Sequence, residues 1–234
     1  MKLAGICLAL ATFGAQNNFH LEHHRDSFGM RSHGVMQVVN GHAKVYPLPQ
    51  STWEDYRRLR PKDAAMSPLA NTNNSYEREE VIGPYEIEGT KVWFGKSFYD
   101  GEGERGVGAF GYFDTETRQY RIFSPIEVAP YETSAILVEP DQVWIGLDVF
   151  TEDISTFPGG LVRWDRVSEK VLLYPIEFVV TAIERRGDIL RLSTRGGYAE
   201  LRGDVVERFS VRRLAGGKTE TVPIDKFPPP PTHY

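Results

Sequence analysis

The sequence predicts an all-β fold of short antiparallel strands, and three observations carry that prediction. Strand-length apolar runs, rich in β-branched and aromatic residues, recur along the chain between turn residues. Asn40-Gly41 stands between two such runs. A two-residue type I′ hairpin turn needs positive φ at both central positions, and Asn-Gly supplies it. The chain also repeats itself. Residues 91–95, KVWFG, return as QVWIG at 142–146, and 109–123, AFGYFDTETRQYRIF, return as GLVRWDRVSEKVLLY at 160–174, both at an interval of 51 residues. Asp114 matches Asp165 and Phe123 matches Tyr174 at that interval.

Composition narrows the class. With 41% hydrophobic and 25% charged residues in 234, the chain has enough apolar side chains for a packed core, which excludes bulk disorder. A formal net charge of −5 argues against a generic nucleic-acid binder, whose affinity comes from basic side chains on phosphates. A single cysteine, Cys7, excludes a disulfide framework and any multi-cysteine zinc site.

The elements follow in order. Residues 1–16 pair Lys2 with an apolar run from Leu3 to Phe13, and Ala9-Leu10-Ala11 fits the small-x-small cleavage pattern. This reads as a signal peptide for a periplasmic or secreted protein, and the run is too short for a membrane span. Residues 17–33 are polar, carry His20, His23, His24 and His33, and read as a flexible N-terminal arm. From residue 34 to 226 the pattern is that of a β domain, interrupted at 49–75 by an insertion. In it Trp53, Tyr56, Leu59 and Arg60 have helical spacing, Ser51 or Thr52 supplies a cap and Pro61 ends the run. In the middle repeat, strands are expected at 134–139, 142–146, 161–164 and 170–174, with turns at Pro140-Asp141 and at 165–169. Asp114 and Asp165 open equivalent turns, where an Asp side chain accepts from backbone N–H groups further on. Trp93 and Trp144 are expected to pack between neighbouring units, and Gly95 and Gly146 to admit the next backbone. A weaker third copy spans DILRLS at 188–193 and GYAELRGDVVERF at 197–209, and one more strand is expected at 219–224. Residues 227–234 form a Pro-rich tail.

Four strands per unit at this period is the pattern of a β-propeller or partial propeller, here of about four four-stranded blades. Val143-Trp144-Ile145-Gly146, then Gly159-Gly160-Leu161-Val162-Arg163-Trp164-Asp165, then Tyr174-Pro175, resemble the repeats of two-component-regulator and virginiamycin B lyase-like propellers. The resemblance spans about residues 84–210 and implies blade packing. The lyases it evokes work with a catalytic His and a magnesium ion. No His lies between His42 and His233, so no catalytic residue carries over. About three and a half blades are countable. Closure within the chain, closure through a second copy in a homo-oligomer, and a fragment with an open edge all remain open.

In a propeller the connections after each second strand share one face. Here they hold Tyr99, Asp100, Glu102 and Glu104 in the first copy and Asp148 and Asp153 in the second, with Phe98 and Phe150 as further aromatic surface. Clustered carboxylates offer the hard oxygens that Ca²⁺ prefers, and the same face suits a cationic, sugar or protein ligand. Charge is uneven along the chain: residues 76–109 carry eight acids and four bases, residues 185–218 nine bases and four acids. There is no Gly-x-Ser-x-Gly motif and no phosphate-binding Gly-x-x-x-x-Gly-Lys-Ser/Thr loop. The reading is a non-catalytic secreted or periplasmic module that binds a protein or small-molecule ligand. The alternative is a lyase- or hydrolase-type enzyme using carboxylates on the acidic face.

Overall fold

The computed structural model describes residues 19–26, 29–66, 80–98, 106–148, 159–174, 176, 178–194, 197–214 and 219–227. Over these the protein is all-β, with two short helices. Three antiparallel meanders follow one another along the chain. Sheet 1 holds β4 (Val81–Glu88), β5 (Lys91–Ser97), β6 (Phe110–Asp114) and β7 (Gln119–Phe123). Sheet 2 holds β8 (Glu132–Val138), β9 (Gln142–Asp148), β10 (Gly160–Asp165) and β11 (Val171–Tyr174). Sheet 3 holds β12 (Val180–Arg186), β13 (Ile189–Thr194), β14 (Gly197–Arg202), β15 (Val205–Arg213) and a fifth strand, β16 (Thr219–Phe227). The repeat is structural: β5 and β9 begin and end 51 residues apart.

The turns explain why the repeat survives so clearly there. Asp114 Oδ1 accepts from the N–H groups of Glu116 and Thr117, both at 2.9 Å, and Asp165 Oδ1 accepts from Val167 and Ser168 at 3.0 and 2.6 Å. Arg118 and Glu169, again 51 apart, both sit at positive φ, 59° and 54°. Each turn is thus closed by an Asp that satisfies the exposed donors, and these bonds hold both Asp carboxyls below the ordinary carboxylate range.

The sheets stack face to face in sequence order, with the first strands β4, β8 and β12 in succession. Alternation along β5 decides which neighbour each side chain meets. Val92 and Phe94 face the N-terminal unit, whereas Trp93 joins Val143, Ile145 and Trp164 of sheet 2. Trp144 packs in turn with Leu190, Leu192 and Val180 of sheet 3. Both tryptophans therefore lie between sheets. Both glycines are also close approaches: a Cβ at Gly95 would overlap Thr133 of β8, and one at Gly146 would stand 2.8 Å from the Val180 carbonyl oxygen of β12. Gly146→Val is expected to cost about 1–3 kcal/mol, because its new atoms meet backbone that cannot rotate away. An unchanged urea midpoint would contradict that close approach.

One expectation needs correction. The stretch expected as a flexible arm is strand: β1 (Phe19–Asp26) pairs antiparallel with β2 (Gly29–Val39), with Leu21 opposite Val35. Phe19 and Leu21, at alternate positions, are buried with Val35 against Val92 and Phe113 of sheet 1, and that burial seats the strand. The Asn40-Gly41 hairpin continues into β3 (His42–Pro47), and Ser32 of β2 pairs with Ile82 of β4, joining this unit to sheet 1. Pro61 ends the first helical run as expected, but a second helix follows it at once. Helix α1 (Trp53–Leu59) stops at Arg60, and Pro61 opens α2 (Pro61–Met66). A proline at a first helical position gives up no bond, since that N–H has no partner within the helix. The leader expected at 1–16 lies outside the described residues, as does the Pro-rich tail expected at 227–234 except for Phe227, which ends β16.

Candidate functional site

The candidate site is one end of the stack. Each first strand begins where its second strand finishes: Val81 pairs with Ser97, Glu132 with Asp148, and Val180 with Thr194. Side chains tie these ends together. Ser97 Oγ donates to the Thr133 carbonyl at 3.0 Å, Thr133 Oγ1 donates to the Lys96 carbonyl at 3.0 Å, and Ser134 Oγ donates to the Val180 carbonyl at 2.7 Å. The connections 99–105 and 149–158 therefore leave the sheets at the same end. The opposite end carries the tight turns after Glu88, Asp114, Val138, Asp165, Arg186 and Arg202.

Of the residues expected to form a ligand face, Asp148 is described. It closes β9, half-buried, in register with Glu132. Tyr99, Asp100, Glu102, Glu104 and Asp153 lie outside the described residues, as does Phe150. Phe98 is buried. Among the described residues no group of three or more His, Cys, Asp or Glu side chains is placed to hold a metal ion. At the same end, buried Thr194 Oγ1 finds no hydrogen-bond partner among the described residues.

The insertion docks at this end too. Thr52 caps α1 in a capping box with Asp55: Asp55 N–H donates to Thr52 Oγ1 at 3.0 Å and Thr52 N–H to Asp55 Oδ2 at 2.8 Å. Helix α1 buries Tyr56 and Leu59 against Val107 and Ala129. Below it sits a buried ionic cluster. The Glu80 carboxylate, fully buried, accepts from Ser51 N–H at 2.7 Å, from Val107 N–H at 2.8 Å and from Lys96 Nζ at 2.5 Å. Lys96 Nζ also donates to Ser51 Oγ at 2.9 Å. Gln50 and Glu80 exchange two more bonds, at 2.8 and 3.0 Å. Arg60 lies over the Tyr56 ring and donates to the Gly106 carbonyl at 2.8 Å and to Asp63 at 2.7 Å. The insertion thus holds both flanks of 99–105, at Lys96 on one side and at Gly106 and Val107 on the other. Ser51 and Lys96 do not make a nucleophile and base. An ammonium ion-paired with a carboxylate has no lone pair with which to take a serine proton.

The sequence reading missed this cluster. Its one signal was a difference between copies: the position that is Lys96 in the first repeat is Leu147 in the second, buried in both. A charge in place of a buried leucine demands a counter-charge.

At the opposite end lies a second feature the sequence reading missed. Trp93 Nε1 donates to Glu88 at 3.0 Å, and Trp144 Nε1 donates to Glu139 at 2.9 Å, with both members 51 residues apart. Each glutamate is gripped by two bonds from an arginine of the next sheet: Arg166 on Glu88 at 2.7 and 2.9 Å, and Arg185 on Glu139 at 2.7 and 2.8 Å. Arg166 also lies 5.1 Å from the Trp93 ring centroid and Arg185 5.9 Å from that of Trp144. Arg185 and Trp144 hold the Glu139 carboxyl down to about 2, Arg185 being the larger cause, and Arg166 lowers Glu88 in the same way. Each clasp uses one residue of the uneven stretches, Glu88 of the acidic and Arg185 of the basic, with a partner outside both.

No protein-family model matches this sequence, and no curated protein matches it. The functional reading therefore stands on the geometry.

Proposed function

We propose that this protein is a non-catalytic binding module of the β-propeller kind, secreted or periplasmic. It takes a protein or small-molecule ligand at the end where β5 and β9 finish. One observation carries the reading: the long connections leave the stacked meanders at one shared end, while the other end is closed by short turns. The stacking of four-stranded meanders through successive first strands supports a propeller-like arrangement, as does the repeat resemblance. The N-terminal strands extend sheet 1 through β2 and β4, and the sheet curls so that Phe19 and Leu21 pack on Val92 and Phe113. The insertion supports the site reading, since its buried bonds hold the flanks of one connection firmly at that end.

The ligand face consists of Tyr99, Asp100, Glu102, Glu104, Asp148 and Asp153, and Ca²⁺ is the candidate cation, since carboxylates are its preferred donors. Calorimetric titration with CaCl₂ into the millimolar range is the test. The expected result is saturable heat that disappears when Asp100, Glu102, Glu104 and Asp148 become the corresponding amides. Absence of heat in the unmodified protein would remove the cation from the reading and leave the ligand organic.

A further inference from the structure

We propose that the outer face of sheet 3 packs against the same face of a second copy of this chain, about a two-fold axis. The register of the repeats identifies that face. Residues Gly95, Phe110 and Phe123 stand side by side across sheet 1, and Gly146, Leu161 and Tyr174 across sheet 2. In both, the row lies on the face that receives the next sheet: Phe110 packs with Trp164, and Leu161 and Tyr174 with Leu190 and Leu192. The equivalent row in sheet 3 is Ser193, Tyr198 and Phe209, continued by Pro223 of β16. The aromatic pair is kept, its rings stacked 4.9 Å apart. Val211, two residues along β15 from Phe209 and so on the same face, is 42% exposed. This is a sheet-packing surface continued one sheet further than the described residues cover.

Its charges select the occupant. In the neighbouring row Arg191 stands opposite Glu200, with which it pairs at 3.9 Å while Arg202 holds the other oxygen at 2.6 Å, and Glu200 stands opposite Glu207. Arg191 takes the place of Trp93 and Trp144, and lies 3.7 Å from the Tyr198 ring centroid. A face with an apolar row beside a row of both signs is complementary to itself: a two-fold axis sets apolar on apolar and brings arginine toward glutamate of the second copy. Tyrosine and arginine are also the side chains that most often anchor interfaces.

Light scattering over the micromolar range tests this on the full chain. The unmodified protein is expected at twice the monomer mass. Val211→Asp, at a site exposed enough to leave folding intact, is expected to weaken dimerisation at least about tenfold with an unchanged circular dichroism spectrum and melting curve. Val45→Asp, on the exposed N-terminal hairpin, is expected to leave the dimer unchanged. A monomer throughout the range would overturn the proposal, as would a dimer indifferent to Val211→Asp. Loss of the dimer in Val45→Asp as well as in Val211→Asp would overturn it in favour of a head-to-tail contact.

Discussion

Glu80→Ala is expected to lower the unfolding free energy by about 3–5 kcal/mol, the cost of breaking a buried ion pair by removing one partner. The Lys96 side chain is 2% exposed and would be left buried without a carboxylate beside it. The N–H groups of Ser51 and Val107 would lose their acceptor at the same time. An unsatisfied buried donor alone costs about 1–3 kcal/mol. The loss falls on a total that for a single domain is only about 5–15 kcal/mol. Urea unfolding curves measure it, and a decrease below about 1 kcal/mol would mean that water or a rearranged Gln50 replaces the carboxylate. The second repeat suggests the remedy. Lys96→Leu with Glu80→Gln copies the apolar side chain of Leu147 and keeps an oxygen for one of the two N–H groups, so part of the loss is expected to be recovered.

Acid is expected to loosen the contact between sheets 2 and 3 through Glu139. Its carboxyl is held at about 2 in the folded protein, below the ordinary value of 4.5. A lowered folded pKa contributes stability that is complete above the unfolded pKa and is lost as pH falls through the folded one. The contribution therefore disappears between about pH 4.5 and about pH 2. Its size is on the order of 3–4 kcal/mol before screening, and solvent trims it, because the Arg185 side chain is 32% exposed. Glu139→Gln is expected to be less stable at pH 7 and to have a flatter stability curve over that window. Denaturation midpoints at a series of pH values provide the measurement. Parallel curves for the two proteins would show that the clasp contributes no pH dependence. Glu88 under Arg166 acts in the same direction, so acid sensitivity of the unmodified protein has more than one source.

Much of the fold was legible because it rests on short-range chemistry. The Asp114 and Asp165 turns, the Asn40-Gly41 hairpin and the Thr52 cap are each specified by residues a few positions apart. Strand alternation likewise placed Trp93 and Trp144 between sheets. The arm was misread because Phe19 and Leu21 offer only two apolar positions among polar neighbours, and their burial depends on Val92 and Phe113 far along the chain. Helix α2 was not foreseen, because the ring that ends α1 is equally at home in the first turn of a new helix. Of the acidic face, Asp148 stands where the repeat expects it, at the shared end, with Glu132 opposite.

The amino-acid sequence by itself determined an all-β chain, the 51-residue period of its meanders, the chemistry of its turns and the glycines where sheets approach. Those properties depend on φ preferences, on side-chain alternation and on local hydrogen bonds, all of which act within a few residues. Only the tertiary structure decided that Glu80 meets Lys96 and Ser51 beneath the insertion, and that Arg166 and Arg185 close over Glu88 and Glu139. Those partners lie 78 and 46 residues apart in the two clasps. No local preference selects one arginine among many as a partner. Desolvation does so, once the sheets stack and a buried carboxylate has to be answered by whichever cation the fold brings within reach.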